Sequence, residues 1–280
     1  MSWRLRVRHT TGYRYDAPVM ASYNEARLTP VTDVDQLTLE ARVQTTPDAV
    51  QQRYWDYWGT QVTAFDLHAP HDSLEVTSTC TVDTADARRP GEVPGWDVVR
   101  SDAVRDRYVE MLTPTERTRP DEEMRALARD AVQGLDPADA ALALTELAHG
   151  RVAYRPGTTG VATSARDAWG LGQGVCQDIA HVSVGLLRSV GLPAAYVSGY
   201  LHPKPSAAVG ETVTGESHAW VEVWLGSWWA LDPTNQVPAG ERHVVVGRGR
   251  DYGDVTPLKG IYSGGGSQAL DVVVEVTRLG

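Results

Sequence analysis

An α+β fold is predicted by the order of three kinds of segment in this chain of 280 residues. Residues 1–85 alternate polar and apolar side chains between turn-forming clusters. Residues from about 100 to 150 carry apolar side chains at helical spacing, and the last third alternates again. Strands first, helices next and strands last imply a β-rich N-terminal domain (1–85), a linker (86–99) and a mixed domain (100–280).

The elements follow in order. Arg4, Arg6 and Arg8 alternate with Leu5 and Val7, the pattern of a strand with one wet face. Leu37, Leu39, Ala41 and Val43 make a second strand, and Leu74, Val76, Cys80 and Val82 a third. Cys80 falls on an apolar face and reads as a packing residue. Asp86–Trp96 is rich in Pro, Gly and charge, as linkers are. Val104, Tyr108 and Leu112 predict one helix over 101–112. Pro120 and the acidic residues after it start a second, and "PADAALALTELAHG" forms a third ending near Gly150. Residues 152–174 form a loop-rich approach to Cys176, which opens a helix that stops at Gly191 and Pro193. Strands follow over His218–Leu225, Trp228–Leu231 and Ala269–Val276. The last of these fits either sheet.

Composition narrows the function. Acidic residues outnumber basic ones 36 to 26, for a net charge of −10, and only Lys204 and Lys259 are lysines, so a nucleic-acid partner is not expected. No apolar run is long enough for a membrane span, and the N-terminus lacks the apolar core of a signal peptide. Two cysteines make no disulfide framework, and the cytoplasm is the expected compartment. Nine Trp and eleven Tyr against one Phe fit a lined cleft or an amphipathic core equally well.

Cys176 stands at a helix start, where unpaired N–H groups and the macrodipole favour a thiolate. Gly172 and Gly174 before it allow close approach of backbone or ligand. A nucleophile also needs a base. His218 begins the strand "HAWVEVWL", and Asp232 ends the strand after it. Directly opposed residues of an antiparallel hairpin have a constant index sum. A sum of 450 sets Asp232 opposite His218 around a three-residue turn with Gly226 at positive φ. A sum of 453 sets Asn235 there instead. The first makes Asp232 the orienter of the His218 ring in a Cys–His–Asp site. Cys176, His181, His202 and His218 lack the paired spacing of a zinc site, so neither metal nor cofactor is expected. His181 lies well round the helix from Cys176 and reads as a local hydrogen-bonding residue. Asp178 and Gln177 read as helix-start residues.

The blocks "GVCQDIAHVSVGLLRSVGLPAAYVSGYL", "SHAWVEVWL" and "WWALDPTN" resemble the bacterial transglutaminase-like family, papain-like cysteine enzymes often described as candidate proteases. "RVRHTTGYRYDAPVMASYNEARLTP" resembles the β-rich domain that often precedes this core, whose motifs here span about 152–262. The resemblance implies a nucleophile helix packed on an antiparallel sheet, with Cys176 as nucleophile, His218 as base and Asp232 as orienter. The implied chemistry is acyl transfer on amide bonds of a peptide or protein, by hydrolysis or, with an amine acceptor, transamidation. A binding or scaffolding protein with little turnover is the alternative. An oxyanion needs donors: the Cys176 N–H is one, and Gln173 and Tyr154 are the side-chain candidates. Trp169, Trp220 and Asp251 are candidates for lining the cleft. For Trp169 the alternative is packing, and for Asp251 a turn with ion pairs.

Overall fold

The computed structural model describes residues 2–215, 217–265 and 268–280, with the backbone alone at Gln268. The chain opens with five strands: β1 (Trp3–Ala26), β2 (Gln36–Thr46), β3 (Gln51–Trp55), β4 (Gln61–Leu67) and β5 (His71–Thr84). Five helices follow: α1 (Trp96–Val99), α2 (Asp102–Arg107), α3 (Val109–Leu112), α4 (Glu122–Ala131) and α5 (Pro137–Arg151). The middle of the chain holds β6 (Ala153–Tyr154), α6 (Ala165–Leu171), β7 (Gln173–Gly174), α7 (Cys176–Ser189) and β8 (Ala194–Leu201). The remainder is β9 (Thr212–Gly215), β10 (His218–Trp224), β11 (Trp228–Asp232), β12 (Val237–Pro238), β13 (His243–Gly249), β14 (Leu258–Gly264) and β15 (Gln268–Arg278). The architecture is α+β, with two principal sheets and the helices packed on the second.

The first sheet runs β2-β5-β1-β15-β9, with β4 and β14 flanking the second half of β1 and β3 beyond β4. A sheet boundary therefore does not follow the division at residues 85 and 100. β9, β14 and β15 come from the C-terminal half yet complete the N-terminal sheet. β15 pairs with β1 from Leu5↔Arg278 to Tyr15↔Gln268. The reason is apolar: Val274 and Val276 of β15 pack with Leu5, Val7, Cys80 and Val82, and on Val244 and Val246 of β13. This shared core joins the two sheets. Buried Cys80 has its thiol pushed up to about 12 by desolvation.

Three expectations are corrected. The alternation Leu37–Leu39–Ala41–Val43 is broken by a bulge between Thr38 and Glu40, so Leu37 and Leu39 stand 50% and 46% exposed while Val43 and Gln36 are buried. The helix over 101–112 breaks at Tyr108 into α2 and α3. The Tyr108 ring packs there against Trp224 and Trp228. The linker ends at Trp96, where α1 begins and the indole N–H donates to the Leu135 carbonyl at 2.8 Å.

The second sheet, β12-β11-β10-β8-β13, is antiparallel and carries α7 on one face. Ile179, Val182 and Leu186 of α7 are fully buried, packed with Tyr196, Val221, Val223 and Leu231 of the sheet and with Leu144 of α5. Arg188 ties the far end of this helix down. Its buried guanidinium donates to the carbonyls of Thr113, Ala194 and Arg250.

Candidate active site

Cys176 is the first residue of α7, and Val175 before it is extended. Asp178, at the third helical position, turns back to accept the Val175 N–H at 2.8 Å and the Thr159 hydroxyl at 2.6 Å. Burial raises the Asp178 pKa, against the pull of those two donors. The two glycines of "GQG" now have distinct causes. Gly172 ends α6 in the left-handed region at φ 65°. Gly174 leaves room for Asp178, because a Cβ there would lie 2.7 Å from the carboxylate. α6 itself was hidden in the loop-rich approach. Ser164 and Asp167 exchange backbone N–H bonds and start it.

The hairpin carrying the other two residues has an index sum of 452, from Val221↔Leu231 to Trp224↔Trp228. Neither expected register is met: the turn is Leu225–Gly226–Ser227, with Gly226 at φ 83°. An even sum still sets His218 and Asp232 on one face. They meet as diagonal rather than opposed neighbours, with His218 Nε2 2.8 Å from Asp232 Oδ2. The Cys176 sulfur lies near enough to the His218 ring for its charge to favour a protonated ring. The structure thus brings Cys176, His218 and Asp232 together at one end of the sheet.

Asp232 is buried and accepts five hydrogen bonds. Oδ2 takes the Nε2–H of His218, the Nε2–H of His243 at 3.1 Å and the Asn235 amide at 2.7 Å; Oδ1 takes the Thr234 and Asn235 N–H groups. Burial opposes its charge, but the hydrogen bonds from the two histidines and the charge of His218 hold the carboxyl far below the usual range. His218 is likewise depressed by burial, then raised past its ordinary value to about 10 by its bond to Asp232 and by the charges of Asp232 and Cys176. Both partners favour the protonated form of the ring beside the sulfur.

His243 and Asn235 are the site residues that sequence reasoning missed as such. "ERHVVVG" contains no motif, and β8 separates β13 from β10. The ligand atoms of His218, Asp232 and His243 lie within 4.8 Å of one another, close enough for a metal. The donor set does not fit one. The Gly240 N–H donates to His243 Nδ1 at 3.2 Å, so Nε2 carries the hydrogen and points it at Asp232. Both Asp232 oxygens are already engaged.

The remaining expected residues divide. Gln173 and Tyr154 lie on β7 and β6, a parallel pair whose β7 ends two residues before Cys176, with Tyr154 53% exposed. Trp169 is corrected to a core residue: 2% exposed, it packs under α7, with Arg151 over its ring. Trp220 is also fully buried and walls no open groove. It lies alongside His218 and edge-on to His243, with centroids 6.0 and 5.2 Å away. Asp251 forms a turn, accepting the Gly253 N–H at 2.7 Å, while the adjacent Arg250 pairs with Asp254. Asp251 borders a cavity of about 570 Å³ with Glu116, Arg117, Ser164, Arg166 and Asp167, which includes none of Cys176, His218 and Asp232.

His181 accepts the Tyr252 N–H at 3.1 Å, the local bond expected of it. Burial and two arginines lower its pKa to about 3, and burial lowers that of His9, bonded to the Tyr200 hydroxyl, to about 4. Folded values below the unfolded 6.5 mean that their contribution is intact above pH 6.5 and drains away as pH falls toward 4 and then 3. The unfolding free energy is expected to be about 5 kcal/mol lower at pH 4.5 than at pH 7. Urea titrations at the two pH values measure this, and equal midpoints would contradict it.

Residues 5–83 match the bacterial transglutaminase-like N-terminal region, and residues 125–233 match the transglutaminase-like superfamily. An uncharacterised protein of Mycobacterium leprae is 50% identical over 277 residues, 99% of each chain. One of Mycobacterium bovis is 32% identical, covering 98% of this chain and 92% of its own. A crystal structure from Cytophaga hutchinsonii, described as a candidate cysteine protease, has a TM-score of 0.76 over 99% of this chain and 98% of that one, at 20% identity. That likeness is one of fold. No helix among the described residues is long and apolar enough to cross a membrane.

Proposed function

Because this chain belongs to the bacterial transglutaminase-like family, carrying the N-terminal region and the core in one polypeptide, we propose that it is a thiol-dependent acyl-transfer enzyme. Its substrate is an amide bond of a peptide or protein, and its main reaction is hydrolysis. One observation carries the reading: a thiol at the head of a helix stands beside a histidine whose Nε2 meets a buried carboxylate at 2.8 Å.

In this mechanism Asp232 holds the Nε2–H of His218, which leaves Nδ1 for the sulfur. The imidazolium and the helix N-terminus stabilise the thiolate. The thiolate attacks the carbonyl carbon, and the oxyanion is met by the Cys176 N–H together with Gln173 or Tyr154. His218 gives its proton to the departing amine, and a thioester remains. Water, deprotonated by His218, then releases the acid and restores the thiol. An amine in place of water gives transamidation.

The test supplies glutamine-containing peptides and an unfolded protein, and follows new amino termini, ammonia release and incorporation of a fluorescent amine, with Cys176→Ala as the control. Cys176-dependent new termini or ammonia is the expected result. Silence in all three assays from a folded protein would leave the binding-module reading. Once a substrate is in hand, Gln173→Ala and Tyr154→Phe are compared. The side chain that donates to the oxyanion loses about a hundredfold in kcat, and neither losing more than about twofold would exclude both as donors.

A further inference from the structure

The acid of this site is held from two sides. We propose that His243 is a positioning residue for the Cys176–His218–Asp232 site, and that through it the N-terminal sheet fixes the orientation of Asp232 that His218 requires. The inference rests on the preceding reading of Cys176 and His218 as the reacting pair.

His243 and His218 donate to the same oxygen, Asp232 Oδ2, at 3.1 and 2.8 Å. The His243 ring has little freedom. The Gly240 N–H fills its Nδ1, the edge of Trp220 packs on it, and it is buried. A neutral ring is the useful form here. It orients the carboxylate while leaving the full negative charge to face His218, whereas a second imidazolium would compete for that charge. Burial favours this form, lowering the His243 pKa against the opposing pull of Asp232.

What holds His243 in turn is the first sheet. Two residues after it, the Gln36 side chain of β2 clamps the backbone of Val245. Its Oε1 accepts the N–H at 2.8 Å, and its Nε2 donates to the carbonyl at 2.9 Å. The Val31 N–H donates to the same carbonyl at 3.1 Å. Two residues before His243, the Thr84 hydroxyl of β5 donates to the Glu241 carbonyl. Val244 and Val246 are buried against Leu5, Val7 and Val82 of the same sheet. The start of β13 is therefore anchored to the N-terminal domain on both sides of the histidine.

The experiment is alkylation of the full chain by iodoacetamide, with the rate at Cys176 read at pH 6 and pH 9. Cys80, buried in the shared core, is the folding control, since it labels only when the core opens. His243→Asn keeps an acceptor near Gly240 but is too short to reach Asp232, and His243→Gln can place an N–H on it. His243→Asn is expected to lower the pH 6 to pH 9 rate ratio about tenfold, with His243→Gln within about twofold of the wild type. Gln36→Leu, which removes the clamp and leaves His243 in place, is expected to lower the ratio about threefold, the smaller effect of an outer support. An unchanged ratio in His243→Asn with Cys80 protected overturns the proposal, as does an equal loss in the Asn and Gln variants. If His243→Asn exposes Cys80, Gln36→Leu decides in its place, and an unchanged ratio there overturns the proposal. A wild-type ratio no higher than that of His218→Ala is a different failure: it removes the Cys–His pair itself, and this inference with it.

Discussion

His218→Ala lowers the pH 6 to pH 9 ratio of Cys176 alkylation by about two orders of magnitude, because a free thiol with a pKa near 8.5 is almost wholly protonated at pH 6. The wild type is expected to keep the higher ratio. The His218 ring, raised toward about 10 by Asp232 and the sulfur, favours a cation beside the thiol across this range. Asp232→Ala moves in the same direction, since the ring loses the partner that raises it. It also strands two buried histidine donors and destabilises the fold by about 3 kcal/mol. The linkage signs differ for the two groups. The stability from His218, whose folded pKa is raised, is complete below pH 6.5 and lost as pH rises through about 10. That from Asp232, whose folded pKa is depressed, is present above the ordinary carboxylate range and lost on strong acidification. Rapid-mix labelling with mass detection of the Cys176 peptide reads the ratio. A wild-type protein that behaves like His218→Ala would end the activated-thiol account.

Gly199→Ala is the second large effect, and it needs no chemistry at the site. Gly199 sits in the middle of β8, paired with His218 on one side and Val245 on the other. A Cβ here would strike the carbonyl oxygen of Val244 and lie 2.7 Å from the far edge of the Trp220 ring. The carbonyl is sheet backbone, and the indole lies against both His218 and His243, so neither gives way freely. Overpacking of this kind is expected to cost about 3 kcal/mol and to lower the alkylation ratio in whatever stays folded. Urea unfolding followed by tryptophan fluorescence gives the first number. A midpoint equal to that of the wild type would show that the strand spacing is looser than described.

The residues legible in the sequence were those whose role is set by near neighbours. Cys176 is marked by its helix, and His218 and Asp232 by a hairpin whose parity survives a wrong turn. The sum of 452 instead of 450 shifts the turn by one residue but not the face. Asp178 and Gly174 were close to legible, because a helix-start carboxylate that turns back needs room behind it. What was hidden depends on contacts made far along the chain. His243 has meaning only when β13 joins the sheet beyond β8. Trp169 and Trp220 could be taken for groove walls because an aromatic residue in a strand or near a nucleophile does not say which side of it is wet. A bulge of one residue turned Leu37 and Leu39 outward, against a pattern that pointed them inward. The destination of β15 was open because either sheet offers an apolar face. It went where Val274 and Val276 close the layer over Val244 and Val246.

That closure gives the molecule a timetable. β1 is made long before β15, its partner along one edge, with Leu5 paired to Arg278. Contacts of such span form late and slowly. Cys176 and its helix are made before β13, and β13 before Val274 and Val276, which complete the layer behind it. The support behind His243 therefore closes only after Cys176, His218 and Asp232 have all been made, so the complete arrangement around Asp232 is a late product of folding.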